Sequence, residues 1–364
     1  MVTGASDYYW RVNAPARVVG ARVIGIPEEK ATETLCFPND SKLLPWFMDD
    51  GEPGFGFPNH EGVAVWTRPD TPRAILADAM RALGYRQVAE LDDNYMASGR
   101  HNIVLRAVGQ SEETVLEHLR SLASMDAAAF TTPALRDMYW RAFKDHRLPR
   151  PEMHVCGNHL FLDDWPTVEE YDGPVRVGWM GSGSHLWDVN TIRTAIHYAT
   201  LTGCKTKMIG YHPAFPDMPP TTSRAVRLTE LWQDAGAEHV PWKQLSGHER
   251  MDLGLDIGLC PLRFDPFTAG KSDIKAVEYT ISGAAVIAQN HPVYNKNWVH
   301  GETALLCSSM DDFVGAVDLL RRDERLRLRL VANAQEYVRE ERDLAKHAGE
   351  WREFVYGTAV EQVA

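Results

Sequence analysis

The chain has 364 residues, of which 44% are hydrophobic and 24% charged, so it is long enough for about two domains with cores of their own and too apolar to be disordered. Lys and Arg total 38 against 50 Asp and Glu, a formal charge of -12, which excludes an overall basic field for a nucleic-acid backbone or an anionic membrane. The five cysteines, Cys36, Cys156, Cys204, Cys260 and Cys307, are widely spaced without a CxxC pair, so neither a disulfide framework nor a zinc site is expected.

The N-terminus MVTGASDYYWRVNAP lacks a basic region followed by an apolar run, and no run of about 18 apolar residues occurs anywhere. A cytoplasmic protein without a membrane span is the expectation.

In chain order, short β-rich runs alternate with amphipathic segments, the pattern of parallel sheets covered by helices. The first half offers strands at ARVIGI near Ile24, VAVW near Val65, QVAEL ending at Leu91, AAAFTT near Phe130 and MHVCGN near Val155, with a helix over PRAILADAMRALG. The polar, proline-bearing DDWPTVEEYDGP reads as a linker. Strands resume at VRVGW, KTKMIG, AVRL, EHVPW, DIGLCPL, AAVIAQ and TALLC, and the chain after Met310 is helical. This predicts an α/β protein with domains over 1–170 and 171–340 and a terminal helix over 341–364 packing back on the first domain. Two doubly wound domains in tandem bring the carboxyl ends of both sheets to one central cleft, where such sheets bind ligands.

Two segments of the second half carry chemistry. In VRVGWMGSGSHLWD a strand runs into Gly181, Ser182, Gly183, Ser184 and His185; small residues there let backbone N–H groups approach a phosphate, while the alternative is a tight turn capped by Asp188. The spacing fits neither GxGxxG nor a Walker loop. In DPFTAGKSDIKAVEYTISGAAVIA a helix is predicted to begin at Ser272 or Asp273, and Lys271, Lys275 and Glu278 at i, i+4 and i+7 share one face. That face suits a diphosphate and ribose hydroxyls; the alternative is a solvated helix with a Lys275–Glu278 pair.

With these stretches, and with YYWRVNAPA, LGYRQVAELDDNY, FTTPALRDMYW and HVCGNHLFLDDW in the same order, the sequence resembles GT-B glycosyltransferases of the family-four, retaining, nucleotide-sugar group, of the bacterial surface-polysaccharide or phage type. The resemblance implies a GT-B fold of two Rossmann-like domains and transfer of a hexosyl or pentosyl group from a UDP- or GDP-sugar to a hydroxyl of a glycan, a protein or a hydroxymethylated DNA base. It implies that Glu278 holds the donor ribose and that Lys271, Ser272 or Lys275, with the Gly181–Ser184 loop, meets the diphosphate. The family's second glutamate, eight positions before the first, is Gly270 in this chain.

In the first half, Asp92 and Asp93 follow a strand and are placed to orient an acceptor hydroxyl, aided by Asn94, Tyr95, Arg11 and Arg68; a capping pair is the alternative. Lys271, His185, Asp92 and Asp93 are the catalytic candidates. His101, His154, His159 and His185 have no ligand spacing, so no metal and no cofactor is expected. Trp10, Trp66 and Trp179 read as core. A non-catalytic sugar-nucleotide-binding protein and an NDP-sugar epimerase of the same fold remain the competing functions.

Overall fold

The computed structural model describes residues 10–11, 14–19, 46–47, 63–67, 71–82, 84–97, 111–165, 168, 171–181, 185–210, 236–241 and 253–357. They form two compact units, one containing the described residues up to Phe161 together with those from Leu344 on, the other Leu162–Asp343. The ARVIGI and AVRL segments lie outside the described residues, as do Arg68, Ser182, Gly183 and Ser184.

In the first unit, α1 (Ala14–Val19) precedes β1 (Trp46–Phe47), β2 (Val63–Thr67), α2 (Thr71–Ala82), β3 (Arg86–Leu91), α3 (Glu112–Ala123), β4 (Ala127–Phe130), α4 (Pro133–Asp145) and β5 (Glu152–Val155). The strands stand side by side in sequence order, β1 antiparallel and the rest parallel. β4 is AAAF and wholly buried, since a central parallel strand is covered on both faces and small side chains let helices approach. Helix starts follow from the sequence: Ser111 closes a capping box with Thr114 on α3, and Thr132 caps α4 ahead of Pro133.

The second unit runs β6 (Arg176–Gly181), α5 (Leu186–Val189), α6 (Arg193–Leu201), β7 (Lys205–Gly210), β8 (Glu238–Pro241), β9 (Ile257–Cys260), α7 (Ile274–Ile281), β10 (Ala285–Gln289), α8 (Pro292–Asn295), β11 (Leu305–Cys307), α9 (Met310–Arg322) and α10 (Glu324–Glu341). Its parallel sheet has the order β8-β7-β6-β9-β10-β11. The chain works outward from β6 in one direction, then returns to β9 and works outward in the other. The β6/β9 boundary is therefore the topological switch point, outside whose carboxyl ends open α/β sheets bind ligands. Val177, Trp179, Ile257, Leu259 and Ile287 pack with Ile192, Ile196, Phe313 and Leu320 from the covering helices.

α11 (Leu344–Tyr356) belongs to the first unit, where Tyr356 Oη donates to Val19 O at 2.6 Å and Leu344 N donates to Leu160 O at 2.8 Å. Among the described residues no helix is long and apolar enough to cross a membrane.

Candidate functional site

At the switch point β6 and β9 pair only through Val177–Ile257 and Gly178–Gly258. Beyond those residues a side chain joins the strands: Met180 N donates to Tyr279 Oη at 2.7 Å, and Tyr279 Oη donates to Leu259 O at 3.2 Å. One turn earlier on α7, Lys275 Nζ donates to Met180 O at 2.6 Å and lies 5.1 Å from the centroid of the Trp179 ring. Lys275 and Tyr279, at i and i+4, thus hold both backbone groups of Met180.

Lys275 departs from the solvated face that was the alternative for it. Its helix buries Lys275, Ala276, Val277, Tyr279, Thr280 and Ile281, and Lys275 itself is 9% exposed. Burial lowers its pKa, opposed by the field of the Glu278 carboxylate. Burial pushes the Cys260 thiol up to about 12, so it stays neutral. Among the described residues no carboxylate oxygen lies within ion-pair distance of Lys275 Nζ, which leaves a desolvated cation with a carbonyl and an indole face as neighbours. A Cβ at Gly181 would overlap the Trp179 ring and come within 2.9 Å of Lys275 Nζ, so a residue without a side chain keeps the approach to the ammonium open.

Lys271 also departs from expectation. Asp265 Oδ1 accepts Phe267 N at 2.9 Å and Thr268 N at 2.8 Å, closing a turn through Thr268–Gly270, and Lys271 follows in extended conformation. α7 begins only at Ile274, so Lys271 is not on the helical face of Lys275 and Glu278; its ammonium stands 4.5 Å from the Phe267 ring centroid. Asp273 occupies the N-cap position without capping. Its Oδ2 instead accepts Arg342 Nη2 at 2.6 Å, Asn297 Nδ2 at 3.0 Å and Trp298 Nε1 at 3.0 Å, because a buried carboxylate is held more strongly by a guanidinium than by a backbone amide. Glu278 is half-buried on α7.

His185 donates through Nδ1 to Asp188 Oδ2 at 2.8 Å, and Asp188 Oδ1 accepts Arg263 N at 3.0 Å from the segment after β9. The buried Asp188 therefore fastens α5 to the segment after β9 and fixes the imidazole, a role that its reading as a first-turn cap missed. Burial, with Lys275 nearby, lowers the His185 pKa to about 4 against the opposing Asp188 bond. A neutral ring with Nδ1–H committed to Asp188 presents Nε2 as an acceptor, which suits a hydroxyl rather than a phosphate.

In the first unit the candidates separate. Arg11, expected at an acceptor, is 3% exposed: Nε bonds Glu90 Oε1 at 2.6 Å, and Nη1 donates to Cys156 O at 2.7 Å and Asn158 Oδ1 at 3.1 Å. A guanidinium committed to a buried carboxylate and a carbonyl is structural. Asn94 and Tyr95, likewise expected at an acceptor, are buried; Tyr95 Oη donates to Asp92 Oδ1, and Tyr95 N donates to Tyr139 Oη at 3.3 Å. Asp92 and Asp93 directly follow β3 and stay half-buried at its carboxyl end. Trp10, Trp66 and Trp179 are core, as read.

No family profile and no curated protein matches the chain. Solved structures do. TarM from S. aureus, in complex with fondaparinux, α-GlcNAc-glycerol and UDP, superposes with TM-score 0.54 and 9% identity over 75% of this chain and 51% of that one. The chain thus spans about half the length of TarM. Sucrose-phosphate synthase from Thermosynechococcus elongatus gives TM-score 0.56 and 14% identity, covering 79% of this chain and 71% of that one. HepE from Anabaena, in complex with UDP-glucose, gives 0.59 and 12%, covering 79% and 77%. These neighbours share the GT-B fold, and at such identities the likeness is one of fold: two Rossmann-like units of the GT-B class.

Proposed function

We propose that the protein is a glycosyltransferase that binds a nucleoside diphosphate sugar at the carboxyl ends of β6 and β9 and moves the sugar to an acceptor hydroxyl. The observation that carries this reading is Lys275, a buried ammonium without a carboxylate partner among the described residues, lying beside Gly181 at the switch point. A diphosphate supplies the missing counter-charge. Cleavage of the anomeric C–O bond builds negative charge on the leaving diphosphate, so a fixed cation in a desolvated site acts mainly in the transition state. Lys271, whose coulombic field reaches both Lys275 and His185, adds to it. Glu278 accepts ribose hydroxyls, and Nε2 of His185 accepts a hydroxyl of the donor.

TarM and HepE were both solved with UDP-containing ligands, which supports a uridine donor here, with GDP-sugars as the other class to try. Retention of configuration is what the family resemblance implies. On the first unit Asp92 and Asp93 remain to orient the acceptor, a glycan, a protein or a hydroxymethylated base. The charge on the leaving group is met by side chains, so turnover is expected to be insensitive to added Mg2+ or Mn2+.

The test is nucleoside diphosphate release from a panel of UDP- and GDP-sugars by the wild type and by Lys275→Met, which keeps the aliphatic stem. The variant should fold with unchanged or higher stability without ligand and lose about 10²-fold in turnover. Lys271→Ala should lose less. Unchanged turnover in folded Lys275→Met would place the phosphates elsewhere. Gly270, where the resembling family carries a glutamate, favours one second reading, a binding protein without transferase activity; donor binding without diphosphate release would select it.

A further inference from the structure

His347 and Glu350 stand at i and i+3 on α11, so they share one side of the helix, and the segment after β5 meets them with Gly157 and His159. His347 Nδ1 donates to Glu350 Oε1 at 2.8 Å, and His159 Nε2 lies 3.6 Å from Glu350 Oε2, which also accepts Gly157 N at 3.3 Å. The two imidazoles are parallel, 7° apart in plane, with centroids 3.6 Å apart. A Cβ at position 157 would come within 2.6 Å of His159 Nε2, so the imidazole occupies room that only a glycine leaves.

We propose that His159, His347 and Glu350 form a zinc site, with two imidazole nitrogens and one carboxylate oxygen on the ion and water in the fourth position. The three donor atoms lie within 4.8 Å of one another, so side-chain rotation alone can bring them to the separation of about 3.3 Å that tetrahedral zinc with bonds of about 2.0–2.1 Å requires. Two nitrogens and one oxygen suit a borderline ion such as Zn2+; Ca2+ and Mg2+ prefer shells of oxygen. The Glu350 carboxylate is already oriented toward the site, with Oε1 accepting His347 Nδ1 and Oε2 accepting Gly157 N. His159 is buried while the His347 and Glu350 side chains are 28% and 37% exposed, which gives an ion a path from solvent.

Parallel rings point their lone pairs side by side, so uptake requires the more exposed His347 ring to turn out of the stack. Its neutral ring changes tautomer through solvent, the proton passing from Nδ1 to Nε2, and the Nδ1–H bond to Glu350 is exchanged for a bond from Nδ1 to zinc. The bound ion joins α11 to the segment after β5, which in the metal-free form is done by the ring stack, the His159–Glu350 contact and hydrogen bonds.

Tag-free full-length protein, equilibrated with Zn2+ and measured by equilibrium dialysis, should hold one ion per chain and melt at higher temperature. Co2+ in its place should show the intense visible bands of tetrahedral coordination. His347→Ala and Glu350→Gln, each confirmed folded by circular dichroism, should weaken Zn2+ binding by at least about tenfold. Failure of the wild type to bind Zn2+ stoichiometrically, or an octahedral cobalt spectrum, overturns the site and leaves a hydrogen-bonded pin. Unchanged affinity in both variants overturns it by placing the ion elsewhere.

Discussion

Each unit buries a basic side chain against its parallel sheet, Arg11 beside β3 and Lys275 beside β6, and the two are compensated differently. Arg11 meets Glu90 on the strand itself and spends further N–H groups on Cys156 O and Asn158. Lys275 meets a backbone carbonyl and an aromatic face. A buried charge whose partner is built into the chain holds the fold together, whereas a buried cation without one costs stability and makes sense where a ligand brings the opposite charge. The same residue class thus reads as scaffold in one unit and as site in the other, and only the partner separates them.

The comparison breaks most readily at Arg11. Arg11→Met removes the guanidinium that neutralises buried Glu90 and should lower unfolding free energy by about 3–5 kcal/mol in urea titrations. Donor binding by the protein that remains folded should be unchanged. A stability equal to wild type would show that the pair is not scaffold, and the contrast with Lys275 would fail.

Acid sharpens the contrast from the other side. The His185 ring takes up a proton near 6.5 when unfolded but only near 4 when folded. Between those values the unfolded chain binds more protons, so stability falls as pH falls. Through this group the loss reaches about 3 kcal/mol at pH 4. Glu350 contributes in the same sense but in a lower window, with stability that is present above about 4.5 and is lost on descent toward about 2. Chemical denaturation of wild type and His185→Gln across pH 4–7 isolates the first effect. Identical slopes would show that the ring is not held neutral, and Lys275→Met should shrink the wild-type slope because the ammonium is one of its causes.

The smallest change is Tyr279→Phe, which strips the hydroxyl between Met180 N and Leu259 O. Two buried backbone groups lose a partner, for a cost of about 1–3 kcal/mol. A thermal melt indistinguishable from wild type would mean that the strands re-pair at the switch point without it.

Strands were readable wherever β-branched and apolar residues run together, as in VAVWT, RVGWMG, IGLC and AVIAQ, because burial on both faces of a parallel strand leaves that composition. The helix start was readable as well, since Asp273 stands at the N-cap position and α7 begins at Ile274, but the use made of its carboxylate was not. Ser272 and Asp273 have the chemistry of caps, but the guanidinium of Arg342, far along the chain, takes the Asp273 carboxylate, and α7 begins three residues past Lys271. The burial of Lys275 was hidden for a related reason: Glu278 at i+3 suggests a surface pair, and only the tertiary position of Met180 draws the ammonium inward. Asn94, Tyr95 and Arg11 looked functional because polar residues at strand ends often are, and the structure buries all three inside the unit, with Arg11 bonded to Glu90 and Tyr95 to Asp92. His159 carries no signal of ligation because its companions lie at the far end of the sequence.

The grip of α7 on Met180 has a consequence for how this region moves. In most of a parallel sheet an amide proton exchanges with solvent when neighbouring strands part. Met180 N–H is held by a phenol on a helix, so its protection from exchange is set by the local unfolding of one eight-residue helix rather than by the sheet. The carbonyl of the same residue is held by Lys275, one turn earlier on that helix. A ligand that draws the ammonium toward itself therefore acts on the element that guards this amide, and occupancy of the site becomes visible in the backbone of a core strand without any rearrangement of the strands.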